Sequence, residues 1–178
     1  RPWMVIDDGW QADHVIDGYN GGPWRNGNQS FPDMHQLAQE INGQGVRPGI
    51  WFRPLLDHRQ IIPDSWRNPL TKALDPTVPE VLQQVKADVD QLCQWGYRLI
   101  KHDFSTFDLF GKWGFEMSPS ITEDGWHFAD QSLTNAEVVK QLYRAIYEAA
   151  EPSGTLILGC NTIGHLGAGL MQLARIGD

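Results

Sequence analysis

The chain has 178 residues and a formal net charge of −8, and this length corresponds to one domain that can bury a core. Hydrophobic residues make up 41% and charged residues 20%, a composition typical of globular proteins and not of disordered chains. The acidic balance and the absence of Lys/Arg clusters argue against a nucleic-acid partner, and no apolar run approaches the ~18 residues of a membrane span. The compartment does not follow from the sequence.

Five short apolar runs predict buried strands, because each is rich in strand-forming residues and ends in polar residues or a turn. They are residues 3–6, 46–52, 97–100, 155–160 and 173–176. Pro48 weakens the second prediction, since proline cannot donate to a sheet. Long polar or glycine-rich segments, residues 11–32, 53–76 and 104–133, are predicted to be loops.

Three segments between the strands have the apolar periodicity of amphipathic helices. Asp33 can cap the first helix with its carboxylate. Thr77 with Glu80, and Thr134 with Glu137, form capping-box patterns that are expected to open the second and third helices. The two cysteines have no metal-site spacing. Two buried thiols are expected in preference to a disulfide between them.

The order strand, helix, strand, helix predicts right-handed βαβ units and a parallel sheet. Polar residues follow every strand at the same end, which is the catalytic face of a (βα) barrel and also the ligand edge of a doubly wound sheet. Long loops after the strands and short turns after the helices favour the barrel. Because five strands cannot close an eight-stranded barrel, we expect a truncated (βα)8 (TIM) barrel that forms a single domain over residues 1–178.

The strand ends carry the candidate functional residues, each of which also has an ordinary structural explanation. Asp7 and Asp8 precede a glycine, where turn chemistry favours aspartate. Lys101 and Asp103 are two residues apart and therefore share a strand face, as a structural ion pair would too. His102 is expected to point the opposite way and to pack under the helices.

Taken together, these residues resemble the inventory of a sugar site. Trp10 and Trp51 lie near the carboxylates and could stack on a pyranose, although either could be a core residue. Asp178 is the last residue and could simply be solvated. Carboxylates accept hydrogen bonds from sugar hydroxyls, and two carboxylates about 5 Å apart would suit retaining glycoside hydrolysis.

Five stretches, taken in order, resemble the successive strand ends of the α-galactosidase clan of glycoside hydrolases, families 27 and 36 and their relatives. They are VIDDGWQ, PGIWFRP, LIKHDF, ILGCN and ARIGD. The resemblance extends over nearly the whole chain, from about the second barrel strand of the family to the sixth. It implies a (βα)8-barrel enzyme that cleaves α-galactosides with retention of configuration.

The resemblance also implies a role for each matching residue. Asp103 would be the nucleophile that forms the glycosyl-enzyme, and Lys101 would hydrogen-bond the sugar and favour the charged form of Asp103. The sugar-binding residues would be Asp7, Asp8, Trp10, Trp51, Cys160, Asn161 and Arg175. The family acid/base follows the arginine by four residues, whereas Asp178 follows Arg175 by three. Either Asp178 or a residue after it would therefore be the acid/base.

An open barrel would expose sheet edges and part of its interior, so we expect self-association, most simply as a homodimer. The sequence has no metal cluster, phosphate loop or nucleotide fingerprint, and no cofactor is expected. One alternative function is a repurposed fragment that uses Lys101 for Schiff-base chemistry of the retro-aldol type. Another is a non-catalytic sugar-binding fragment. The sugar and the linkage stay open.

Overall fold

The computed structural model describes residues 1–14, 20–57, 59, 61–117 and 122–176. In these residues, five strands form one parallel sheet in which each strand pairs with its neighbour in sequence. They are β1 (Trp3–Ile6), β2 (Arg47–Phe52), β3 (Leu99–His102), β4 (Leu156–Gly159) and β5 (Leu173–Ala174). Sequential parallel pairing with crossover helices is the arrangement of a (βα)8 barrel, so the predicted partial barrel is confirmed. Among the described residues, no strand closes the sheet between β1 and β5.

Within the described residues, four α-helices accompany the sheet. They are α1 (Met34–Gly43), α2 (Pro79–Gln94), α3 (Ser105–Phe110) and α4 (Asn135–Ala150). The periodicity predicted α1, α2 and α4. It missed α3, which lies in the segment predicted as a loop, because a helix of 6 residues is too short to show an apolar stripe.

Two of the three predicted helix caps are present. The Asp33 carboxylate accepts a hydrogen bond from the Gln36 backbone N–H at 2.8 Å. Thr134 and Glu137 form the reciprocal capping box that opens α4. Both caps satisfy backbone N–H groups that the first helical turn leaves without a partner.

The predicted capping box at Thr77 is wrong. The Thr77 hydroxyl donates to Asp75 at 2.7 Å and accepts from the Asp130 backbone N–H at 3.1 Å, so it is engaged outside the helix. Helix α2 begins at Pro79 with Val78 as its N-cap and has no side-chain cap. Proline suits the first helical position because its missing N–H would have no partner there.

A large part of the core lies between the sheet and the two long helices. Helix α2 presents Val81, Val85, Val89 and Leu92, and α4 presents Val138, Leu142 and Ile146, all of which are buried. His102 of β3 points to this side and packs edge-on against Tyr143 of α4, with ring centroids 5.4 Å apart. Its neighbour Lys101 lies on the other face, as the strand period requires.

Cys93 and Cys160 are both buried and unpaired, as expected. No helix in the described part of the chain has both the length and the apolar character needed to cross a membrane. Across the same residues, no group of His, Cys, Asp or Glu side chains is arranged to hold a metal ion.

Candidate active site

The parallel register brings the polar residues that follow the strands to one edge of the sheet. Backbone hydrogen bonds extend the sheet past the strand ends: Asp103 N–H donates to Phe52 at 3.0 Å, and Cys160 N–H donates to His102 at 2.8 Å. The residues after β2, β3 and β4 are therefore held side by side. Asp7, Arg53, Asp103 and Asn161 follow β1, β2, β3 and β4 at this edge.

Asp103 is buried, and three donors fix its carboxylate. The Trp51 indole Nε1 donates to Oδ2 at 2.9 Å. The Asn161 side-chain amide and the Phe104 backbone N–H donate to Oδ1 at 2.8 and 2.7 Å. These donors come from β2, from the residue after Asp103 and from the segment after β4, so packing of three neighbouring strands determines the orientation of the carboxylate.

Lys101 lies between two carboxylates. Its Nζ donates to both oxygens of Asp7, at 2.9 and 2.8 Å, and lies 4.0 Å from Oδ2 of Asp103. The Lys101 side chain is 12% exposed, whereas that of Asp7 is 61% exposed. The site therefore has a buried carboxylate, a shielded ammonium and an outer carboxylate that is open to solvent.

The side chains of Asp8 and Trp10 are held by partners other than Asp103. Asp8 Oδ1 accepts from the Gln11 side-chain amide at 2.8 Å and lies 3.8 Å from His14 Nδ1. Trp10 is completely buried, and its indole N–H donates to the Trp51 carbonyl at 3.0 Å. Trp10 is thus a core residue behind Trp51, with no surface of its own at the pocket.

Cys160, Asn161 and Arg175 form a row that leads to Asp103. Arg175 Nη1 lies 3.8 Å from Cys160 Sγ, and Asn161, the next residue, contacts Asp103 directly. Burial raises the pKa of the Cys160 thiol, which favours the neutral form. Asp178, the predicted acid/base, lies outside the described residues, so its role stays a prediction.

Two buried residues of this edge were not among the candidates predicted from the sequence. Arg53 donates through Nε and Nη2 to the two oxygens of Asp108, at 3.0 and 2.6 Å, and through Nη1 to Asn20. Burial raises the pKa of Asp108, and Arg53 opposes that shift. Arg53 follows a predicted strand and so carried a signal, whereas Asp108 lies on α3, where no helix was expected.

A cavity of about 950 Å³ opens beside Asn161 and Arg175. Trp113, Phe115 and Met117, from the segment after α3, line its other side. The cavity adjoins the residue that hydrogen-bonds Asp103, and its aromatic side chains offer flat apolar surface. A molecule that reaches Asp103 could extend into it.

No family model matches the chain, and no curated protein matches it significantly in sequence. Among solved structures, the α-galactosidase of Thermus thermophilus in complex with stachyose is 22% identical over 99% of this chain and 37% of its own, with a TM-score of 0.70. The α-galactosidase of Lactobacillus brevis is 20% identical over 99% of this chain and 25% of its own, with a TM-score of 0.66.

The similarity extends beyond α-galactosidases. The isomalto-dextranase of Arthrobacter globiformis T6, complexed with panose, is 17% identical over 98% of this chain and 32% of its own, with a TM-score of 0.61. At these identities the similarity shows the fold: the chain has a glycoside hydrolase-like partial barrel and resembles the α-galactosidases, as its strand-end motifs predicted. It spans between a quarter and about two fifths of the length of these proteins.

Proposed function

We propose that the chain carries the nucleophile side of a retaining glycosidase site and acts on α-galactoside-like substrates. The observation that supports this most is the environment of Asp103, a buried carboxylate that Trp51, Asn161 and the Phe104 N–H hold in one orientation. It follows β3 at the face of the barrel where catalytic residues collect.

In the proposed reaction, a carboxylate oxygen of Asp103 attacks the anomeric carbon. The bond to the leaving-group oxygen breaks as a general acid protonates that oxygen, and a glycosyl ester forms on Asp103. Water then hydrolyses the ester, and the acid, now a base, takes up the proton from the water. Asp178 or a following residue is the proposed acid/base. A general acid contributes about 10²–10⁴-fold, and less for leaving groups that are already good.

In this proposal, the outer residues of the site bind the hydroxyl groups of the sugar. The exposed Asp7 and the neighbouring Asp8 would accept hydrogen bonds from hydroxyls, while Lys101 and Arg175 would donate. The cavity beside Asn161 would receive the leaving group. The structural similarity to α-galactosidases solved with stachyose and with p-nitrophenyl α-D-galactopyranoside supports a galactoside as the substrate.

The geometry at Lys101 favours this function over Schiff-base chemistry. Attack on a carbonyl requires the free amine, whereas the contacts of Nζ with both oxygens of Asp7 are those of an ammonium donor. The remaining alternative is a protein that binds sugar without turnover, and the experiment described next distinguishes it from a glycosidase.

The test is release of nitrophenol from p-nitrophenyl α-galactoside by the wild-type chain, by Asp103→Asn and by Asp90→Asn. Asp90 is an exposed residue of α2, so Asp90→Asn is a matched control that keeps wild-type activity. We expect Asp103→Asn to lower the rate at least about 10³-fold. Mass spectrometry with 5-fluoro-α-galactosyl fluoride is expected to detect a glycosyl adduct on Asp103 of the wild type. If neither Asp103-dependent release nor an adduct occurs, the proposed function is wrong, and calorimetry with galactose then separates a binding protein from an inert one.

A further inference from the structure

Arg53 and Asp108 form a buried ion pair next to the candidate nucleophile. Their side chains are 8% and 3% exposed, and two parallel hydrogen bonds join them. Removing two charges from water is costly, so apolar residues of similar volume are often as stable as a buried pair or more stable. Stability alone therefore explains this pair poorly, and its neighbours suggest another role.

One neighbour is Phe104, whose backbone is in the left-handed region with φ +64°. Residues other than glycine rarely adopt this backbone conformation, because Cβ crowds the following carbonyl. The same residue supplies the N–H that donates to Asp103 Oδ1 at 2.7 Å. A strained residue thus makes one of the three hydrogen bonds that orient the carboxylate, and strain of this kind is retained where the surroundings enforce it.

The ion pair contacts the Phe104 ring through Arg53. The Arg53 guanidinium lies over the Phe104 ring, 4.1 Å from its centroid, in the geometry of a cation–π contact. The Asp108 carboxylate holds the guanidinium in place, and the Asp108 backbone N–H makes the first backbone hydrogen bond of α3, to the Phe104 carbonyl at 2.9 Å. Phe104 is therefore fixed at its ring by the ion pair and at its carbonyl by the helix that carries Asp108.

We propose that Arg53 and Asp108 are positioning residues that act on Asp103 through Phe104. The pair keeps Phe104 in its left-handed conformation, and the Phe104 N–H in turn keeps the Asp103 carboxylate aligned. The role does not require that either residue touch the substrate. Its kinetic consequence rests on the proposed function, whereas its structural consequence can be measured without any activity.

The test compares the double variant Arg53→Met/Asp108→Leu with Lys86→Met/Glu148→Leu. The second variant makes the same substitutions in an exposed ion pair between α2 and α4, whose atoms are 2.7 Å apart. We expect the first variant to retain its unfolding temperature and to bind galactose within about twofold of the wild type. Its kcat for nitrophenyl galactoside should fall about 10²-fold, the typical cost of a misaligned catalytic group. The control variant should retain kcat.

Hydrogen exchange of the Trp51 indole N–H provides the readout that needs no turnover. Its NMR signal is assigned among the eight tryptophans by its loss in Trp51→Phe. If the carboxylate loses its alignment, the indole N–H should exchange at least tenfold faster in the Arg53→Met/Asp108→Leu variant and at the wild-type rate in the control. Unchanged exchange together with unchanged kcat would overturn the proposal.

Arg53→Lys covers the case in which the double variant does not fold. Lysine keeps the charge opposite Asp108 but lacks the flat guanidinium that covers the Phe104 ring, so we expect faster indole exchange and a lower kcat. Wild-type exchange in Arg53→Lys would count against the proposal. A wild-type chain without Asp103-dependent turnover refutes the proposed function only, because the exchange measurement still tests the positioning role.

Discussion

The indole nitrogen of Trp51, on β2, donates a 2.9 Å hydrogen bond to Oδ2 of Asp103, which follows β3. This bond links two neighbouring strands through the candidate nucleophile. The Trp51 ring is buried, and its own carbonyl accepts from Trp10. A buried donor of this kind restricts the position of the Asp103 carboxylate relative to β2. Packing of the Trp51 ring in the core therefore helps to orient the candidate nucleophile.

Trp51→Phe removes this donor and keeps most of the ring. Since a hydrogen bond to a charged group is worth about 1.5–3 kcal/mol, we expect kcat for nitrophenyl galactoside to fall about 10- to 100-fold. Steady-state kinetics measures this, with Trp66→Phe, in a turn between β2 and α2, as the control. Equal kcat values for the two variants would contradict the role assigned to Trp51.

His102 makes the folded state sensitive to acid. Burial lowers its pKa from 6.5 to about 4. The unfolded chain therefore takes up the proton first, and stability falls as the pH drops from about 6.5 to about 4. The full loss is about 3 kcal/mol. Urea unfolding at pH 7 and pH 4 is expected to show this loss for the wild type.

His102→Phe tests whether this histidine is the cause. Phenylalanine can pack on Tyr143 but cannot titrate, so the variant should lose less stability than the wild type over the same pH interval. His165→Gln changes an exposed histidine and should retain the wild-type pH dependence. If both variants lose as much stability as the wild type, another group is responsible.

Asp88 acts in the opposite direction. Burial raises its pKa from 3.8 to about 6, so the folded state keeps a proton that the unfolded chain has released. Its contribution to stability is present below about pH 3.8 and is lost as the pH rises to about 6. Asp88→Asn removes the buried charge and should stabilise the chain at pH 7 by up to about 3 kcal/mol.

Chemical denaturation at two pH values measures the effect of Asp88→Asn. The gain should disappear near pH 4, where the aspartate is already protonated. Asp90→Asn, on the same helix but exposed, should change stability by less than about 0.5 kcal/mol at either pH. A gain that is equal at both pH values would show that packing, and not the charge, is the cause.

We also propose that the chain forms a homodimer through its sheet edges. In the part of the chain that the structure describes, the outer edges of β1 and β5 pair with no strand, and Met4, Leu173 and Ile176 are 49%, 44% and 98% exposed. Light scattering after size exclusion should give a dimer mass at micromolar concentration. Leu173→Lys/Ile176→Lys should shift it to the monomer mass, because charged residues oppose edge pairing. A monomeric wild type would contradict the proposal.

Sequence patterns predicted the elements that depend on nearby residues. Helices α1, α2 and α4 follow from apolar periodicity, and the caps at Asp33 and Thr134 follow from side chains that reach a backbone three residues away. The cap at Thr77 failed because its hydroxyl donates to Asp75 and accepts from the Asp130 backbone N–H, 53 residues away. A local sequence pattern does not contain this second contact.

The sequence by itself determined that Lys101 and Asp103 share a face, because the strand period is local, and that polar residues gather at one end of the strands, because alternating strands and helices imply a parallel sheet. Only the tertiary structure decided which groups orient Asp103 and which tryptophan reaches it. Trp51 bonds a residue 52 positions away, and Arg53 pairs with one 55 positions away, so both contacts depend on how strands and helices pack. Packing also placed Trp10 in the core, because the direction of an indole in a loop depends on contacts with distant residues such as Trp51.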